Sequence, residues 1–228
     1  MLAKNQFNIN GKTNKMKATK RLARQAGFLY FLLVPFGVFG ILYIPSQFID
    51  PSDINATMNN IADDTLSFRL SIMSALIIQL IQILTVLALY QLLKSVNRKA
   101  AIFMLVSILV AVPIAMLNEV FHYAVLASLG NASQVELFLE LHEYGVNIAQ
   151  IFWGIWLLPM GYLVYKSGFI PKFIGVLLLI AGIGYCIDSF IFLMKVDINI
   201  VLSEFTFVGE VALLLWLLVK GVRTTSEK

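Results

Sequence analysis

Apolar residues in this chain fall into six long runs, at 27–44, 66–93, 100–124, 139–165, 173–194 and 202–219, separated by short polar gaps. Each run reaches or approaches the ~20 residues that carry a helix across ~30 Å of hydrocarbon. None shows the two-residue alternation of a membrane barrel. Helices also satisfy every backbone group within one segment, as lipid requires. The pattern predicts an all-α bundle of six membrane-spanning helices over 27–219, with an arm at 1–26 and a tail at 220–228. The first run ends in Tyr-Ile-Pro-Ser-Gln and lacks a small-x-small cleavage pattern, so it is read as a retained span.

The gaps carry the charge, and they carry it unevenly. Lys4, Lys12, Lys15, Lys17, Lys20, Arg21 and Arg24 lie in the arm. Lys94, Arg98, Lys99, Lys166, Lys172, Lys220, Arg223 and Lys228 lie in alternate gaps and the tail, which leaves only Arg69 and Lys195 for the opposite side. Because positive residues stay cytoplasmic, both termini are expected inside. The chain is 59% hydrophobic and 13% charged, too apolar to be covered by its own polar surface in water. The arm is read as disordered, cytoplasmic and in contact with anionic lipid headgroups. It lacks interleaved aromatics, which argues against nucleic acid. Met16 is a second candidate start.

Between the first two runs, Asp50-Pro51-Ser52-Asp53 reads as an N-cap, a first-turn proline and an acid. Ile54, Met58 and Ile61 follow at helical spacing, which predicts a short amphipathic helix on the outer surface within 50–64. Asn55 and Asn131 head glycosylation sequons that carry no meaning in a bacterial chain.

Several polar residues lie where lipid should exclude them. At ~1.5 Å per residue, Glu210 lies ~15 Å from Lys220, near the midplane. Asp188 and Glu204 come out ~24 Å from the inner boundary, Glu119 ~30 Å, and Glu143 beyond that. Intramembrane acids are costly and often functional. Ser203, Thr206 and Glu210 share one face, with Glu210 the candidate proton or cation site. The fourth run carries a stripe of Glu136, Glu140, Glu143, Asn147, Gln150 and Gly154 on one face. The second carries Ser67, Ser71, Ser74, Gln82 and Thr85. Together with Asp188 and Glu204 these suggest an outward-facing polar pocket, and interhelical hydrogen bonding is the competing account. Arg69 either pairs with one of these acids or turns its head to the interface.

Glu119 and His122 form an E-x-x-H pair, the spacing of di-iron bundles, but those use it twice. The other histidine, His142, has no acid three places before it. With 13 acids and two His, one such pair is near what chance supplies. A metal site from Glu119, His122 and His142, with Glu143 or Asp188, is therefore not expected, and no cofactor is predicted. No P-loop, H-E-x-x-H or C-x-x-C occurs. Cys186 is the one cysteine and forms no intrachain disulfide. Gly154 and Gly161 on the fourth run, and Gly175 and Gly182 on the fifth, recur on one face and read as close-packing seams. Pro35, Pro113 and Pro159 permit kinks.

Three stretches, FRLSIMSALIIQLIQILTVLALYQLLKSVNR (68–98), LHEYGVNIAQIFWGIWLLPMGYLVYKSGFIPKFIGVLLLIAGIGYCIDSF (141–190) and GEVALLLWLLVKGV (209–222), resemble one family. It comprises the uncharacterised bacterial integral membrane proteins called domain of unknown function 4386. The likeness covers about 17–222 and is most specific at Tyr165-Lys-Ser-Gly-Phe-Ile-Pro-Lys172. The resemblance implies about six membrane helices in a bacterial plasma membrane and no assigned activity. It also implies that His142, Tyr144, Gly145, Asp188 and Glu210 belong to a family pattern. Three function classes stay open. One is a binding or transport protein built on the outer pocket and Glu210. The second is an intramembrane enzyme with a carboxylate/His site, and the third is a structural or regulatory partner. Nothing in the residues requires an enzyme.

Overall fold

A computed structural model describes residues 2–198 and 200–222, with side chains from Thr19 onward except those of Ile41 and Ile44. The tail cations Arg223 and Lys228 lie outside the described residues. All regular structure among these residues is helical. Five helices are long and apolar enough to cross a membrane: Thr19–Phe48, Thr65–Leu93, Arg98–Ala127, Ala132–Ser167 and Lys172–Leu193. Leu66, Leu84, Leu117, Phe173 and Phe190 are among many large apolar side chains exposed on their outer faces. A water-soluble fold would not tolerate so wide an apolar belt.

The first helix corrects one expectation. α1 spans Leu2–Gly37, so the arm is helical and continuous with the first span rather than irregular. Ala, Lys, Arg and Gln, all good helix formers, make up most of residues 15–26. Beyond Pro35 the helix widens into a π-helical stretch, Val38–Tyr43, and then α2, Ile44–Phe48. Such widenings expose carbonyls. One is satisfied from outside: Ser74 Oγ donates to the Phe36 carbonyl at 3.0 Å. Gly40 lies against that same serine.

α3, Ile54–Asp63, begins after Asp53, whose carboxylate accepts from the Asn55 and Ala56 amides. The expected cap, Asp50, instead closes the preceding turn by accepting from the Ser52 amide and hydroxyl. Those two bonds hold the Asp50 carboxyl below the usual carboxylate range. Asp64 caps α4, Thr65–Leu93, through the Ser67 amide, and is lowered for the same reason. Ile61 of α3 packs into a small core with Phe48, Phe68, Ile72, Val125 and Val135.

α5 is Arg98–Ala127 and α6 is Ala132–Ser167, capped by Asn131, whose side chain accepts from the Gln134 amide. α6 has 36 residues. At ~1.5 Å each it is about 54 Å long, well beyond the hydrocarbon thickness. Gly168, in the left-handed region at φ 71°, ends it. α7, Lys172–Leu193, returns along α6. The seams expected from the glycine spacing are present. A Cβ on Gly161 would meet the Gly175 carbonyl at 2.7 Å, and one on Gly154 would meet the Gly182 carbonyl at 2.8 Å.

The last run, expected as one helix over 202–219, is divided into α8, Ser203–Thr206, and α9, Val208–Val219. α9 is wedged against α1 and α7 at two glycines. Gly27 touches the Leu217–Leu218 backbone and Gly209 the Leu177–Leu178 backbone.

Candidate functional site

The residues proposed for one outer pocket serve separate local purposes. Asp188 accepts from the Leu202 and Ser203 amides at 2.8 and 2.6 Å, so it caps the start of α8. Asn147 donates to the Glu143 carbonyl of its own helix, and Gln150 donates to the Tyr185 carbonyl of α7. Glu143, Glu204 and Arg69 are exposed. The α4 hydroxyls find backbone carbonyls: Ser71 donates to Phe68 and Thr85 to Ile81. For Ser71, Ser74, Thr85, Asn147 and Gln150 the side-chain hydrogen bonds are thus local or interhelical.

Glu210 has partners that the sequence reading did not name. Tyr30 of α1 donates to its carboxylate at 2.5 Å, and the phenol of Tyr185 on α7 lies near enough to interact with it. Both phenols are brought in by the close approach of α9 at Gly27 and Gly209. Tyr30 also packs against Trp156.

The structure does bring together Glu119, His122 and His142. Glu119 and His122 are one helical turn apart on α5, and each is 8% exposed. His122 Nδ1 lies 3.0 Å from one carboxylate oxygen, and His142 Nε2, from α6, lies 3.3 Å from the other. The two imidazoles stack with centroids 3.5 Å apart. One donor atom from each residue falls within 4.8 Å of the other two. Each imidazole places one ring nitrogen at hydrogen-bond distance from a different oxygen of this one carboxylate. Glu143 and Asp188, the other acids weighed for a metal set, do not join.

The surroundings hold this cluster in place. Asn118 donates to the His142 carbonyl at 2.8 Å and so ties α6 to α5 beside the cluster. Gly145 makes room for it, since a Cβ there would lie 1.8 Å from Asn118 Oδ1. That oxygen is buried without a hydrogen-bond partner among the described residues. Phe68 presents its edge to His122 at 5.4 Å, and Phe48 packs on Phe68. The α3 end of the bundle therefore roofs the site with apolar side chains.

A two-His, one-carboxylate set fits a divalent transition metal. Ligand distances of about 2.0–2.2 Å in a tetrahedron place donors about 3.3 Å apart. The three donor atoms lie within 4.8 Å of one another, close enough to contract onto one ion, and imidazole with carboxylate suits zinc or iron(II). Asn118, through the His142 carbonyl, holds the α6 backbone that carries the His142 donor. Gly145→Ala should displace Asn118 and weaken divalent-metal affinity of the purified protein by about tenfold while the helices remain formed. Unchanged affinity in a metal titration would remove Asn118 from this role.

The fold and the buried cluster define a class: a helical membrane protein with a polar His/Glu centre near one end of its bundle. The chain belongs to the family described as domain of unknown function (DUF4386), whose model matches residues 25–221. It is similar to an uncharacterized protein of Archaeoglobus fulgidus, 43% identical over 82 residues, which is 36% of this chain. The chain spans 49% of the length of that relative. No solved structure matches it.

Proposed function

We propose that this protein is a membrane-embedded metalloprotein whose Glu119, His122 and His142 hold one divalent ion of the zinc or iron(II) type. The observation that carries this reading is the grouping of three donor atoms from α5 and α6 within 4.8 Å of one another, Glu119 and His122 buried and His142 half-buried. A metal ion would take the ring nitrogens and carboxylate oxygens that now face one another, each neutral imidazole carrying its one proton on its other ring nitrogen. Three protein ligands leave a fourth position for water, as in catalytic rather than structural zinc sites. The cation distribution supports a bacterial plasma-membrane orientation with both termini inside. α8 and α9 together would then form the sixth crossing, and the metal site would face the outer leaflet beneath α3. Elemental analysis of the detergent-purified full chain should find about one equivalent of zinc or iron, and cobalt(II) substitution should give tetrahedral visible absorption bands. Less than a tenth of an equivalent, with no cobalt spectrum, would sink the proposal.

A second reading rests on Glu210. A half-buried carboxyl that meets phenols from two other helices has the form of an intramembrane proton site, which would suit a transport-type protein. A carboxylic C=O infrared band should grow on mild acidification and be missing in Glu210→Gln. A wild-type spectrum without a band that depends on Glu210 would exclude it.

A further inference from the structure

The end of the bundle opposite α3 carries a groove of about 710 Å³ between α1 and α4. Its lining changes character along α1. Lys20, Arg21, Arg24 and Gln25 form one end, and Phe28 and Leu29 continue along the same helical face, with Ala88 of α4 opposite. Leu22 aside, the α1 residues that line it are spaced i, i+1, i+4, i+5, i+8 and i+9, which makes a stripe along the helix. Lys20 is about 13 Å from Leu29 along the helix axis.

The apolar run of α1 begins at Gly27, directly after Lys20, Arg21 and Arg24. The cations therefore stand at headgroup level, and the aromatic and aliphatic residues lie at the level of the upper acyl chains. Among the described residues the ion pairs all belong to the Glu119 cluster, so no acid there neutralises Lys20, Arg21 or Arg24. Phe28 is 54% exposed, a large apolar face offered beside three unmatched positive charges. A phosphate diester on two acyl chains is complementary to both halves: anionic oxygens to the guanidinium groups, hydrocarbon to Phe28, Leu29 and Ala88.

We infer that this groove is a binding site for an anionic phospholipid, with its phosphate at Lys20, Arg21 and Arg24 and an acyl chain along Phe28 and Leu29. Such a site goes beyond the general attraction of a basic flank to a negative surface, because it needs the α4 wall as well as the charge.

The test is native mass spectrometry of the full chain released from nanodiscs of equal phosphatidylglycerol and phosphatidylcholine. The wild type should retain the anionic lipid at least about fivefold over the zwitterionic one. Lys20→Gln/Arg21→Gln/Arg24→Gln should reduce that ratio to near unity. Ala88→Trp, which keeps every charge and fills the apolar wall, should lower retention of the anionic lipid several-fold. Circular dichroism confirms that each variant is folded. Equal retention of the two lipids by the wild type overturns the proposal. So does a ratio that survives the triple substitution, or retention indifferent to Ala88→Trp, since the latter would mean charge alone and no groove. Displacement of the lipid by millimolar inorganic phosphate would likewise overturn it, by removing the acyl chain from the recognition.

Discussion

His142→Ala should abolish stoichiometric metal binding while leaving the helical bundle intact. Only two donors, Glu119 and His122, would remain, both from one turn of α5. An ion held by two side chains of one helix loses the donor that α6 supplies and the tie between the two helices. Even outer-shell changes around metal ligands cost 10–100-fold in affinity, so removal of a ligand should exceed ~100-fold. Zinc titration against a competing chelator measures it. Glu119→Gln separates the alternatives. If the cluster is only a hydrogen-bonded core, the amide still accepts from one imidazole and thermal stability changes little. If a metal is held, its affinity falls about as far as in His142→Ala. Full zinc occupancy in both variants would dismiss the site. The cluster lies under Phe68 and Phe48, where low local polarity strengthens charge interactions and raises the cost of an unpaired group.

Gly175→Ala should destabilise the bundle by about 1–3 kcal/mol, and Gly175→Val by more, because the added atoms overpack a closed seam. A Cβ on Gly175 would lie 2.6 Å from the Tyr165 amide nitrogen and 2.7 Å from the Gly161 carbonyl. Backbone atoms cannot swing aside as a flexible side chain can, so α6 and α7 must separate. Gly37→Ala is the control. Nothing lies within 4 Å of a Cβ there, and the residue ends a helix. It should be neutral or stabilising by up to about 1 kcal/mol, since alanine favours helix over glycine. Thermal or denaturant unfolding in one detergent compares the two. Equal midpoints would show that α6 and α7 do not rely on glycine contact.

The glycine seams were legible because a seven-residue repeat on each of two neighbouring helices fixes both faces, and a tight turn fixes their register. The same logic applies to the His/Glu cluster. Glu119 and His142 lie at similar distances either side of Asn131, so a short turn there brings them abreast. Counting local acids around His142 conceals this, since its acid partner sits on the other arm of the hairpin. The Glu210 cluster was less accessible. Tyr30 is 180 residues away from it, and no local turn relates α1 to α9. Asp188 misled for a different reason. Its depth marked it as unusual, but depth cannot separate a ligand-binding acid from one that caps the broken start of the last helix.

The length of α6 gives the molecule a rigid post. A tilt of about 40°, the upper end of what spans adopt, would still leave part of a 36-residue helix standing clear of the lipid. Its first turns carry Glu136 and Glu140, both exposed, and the open turn at Gly130 sits at its tip. That tip is where a small folded marker or an antibody fragment can be mounted to add orientable mass for electron microscopy.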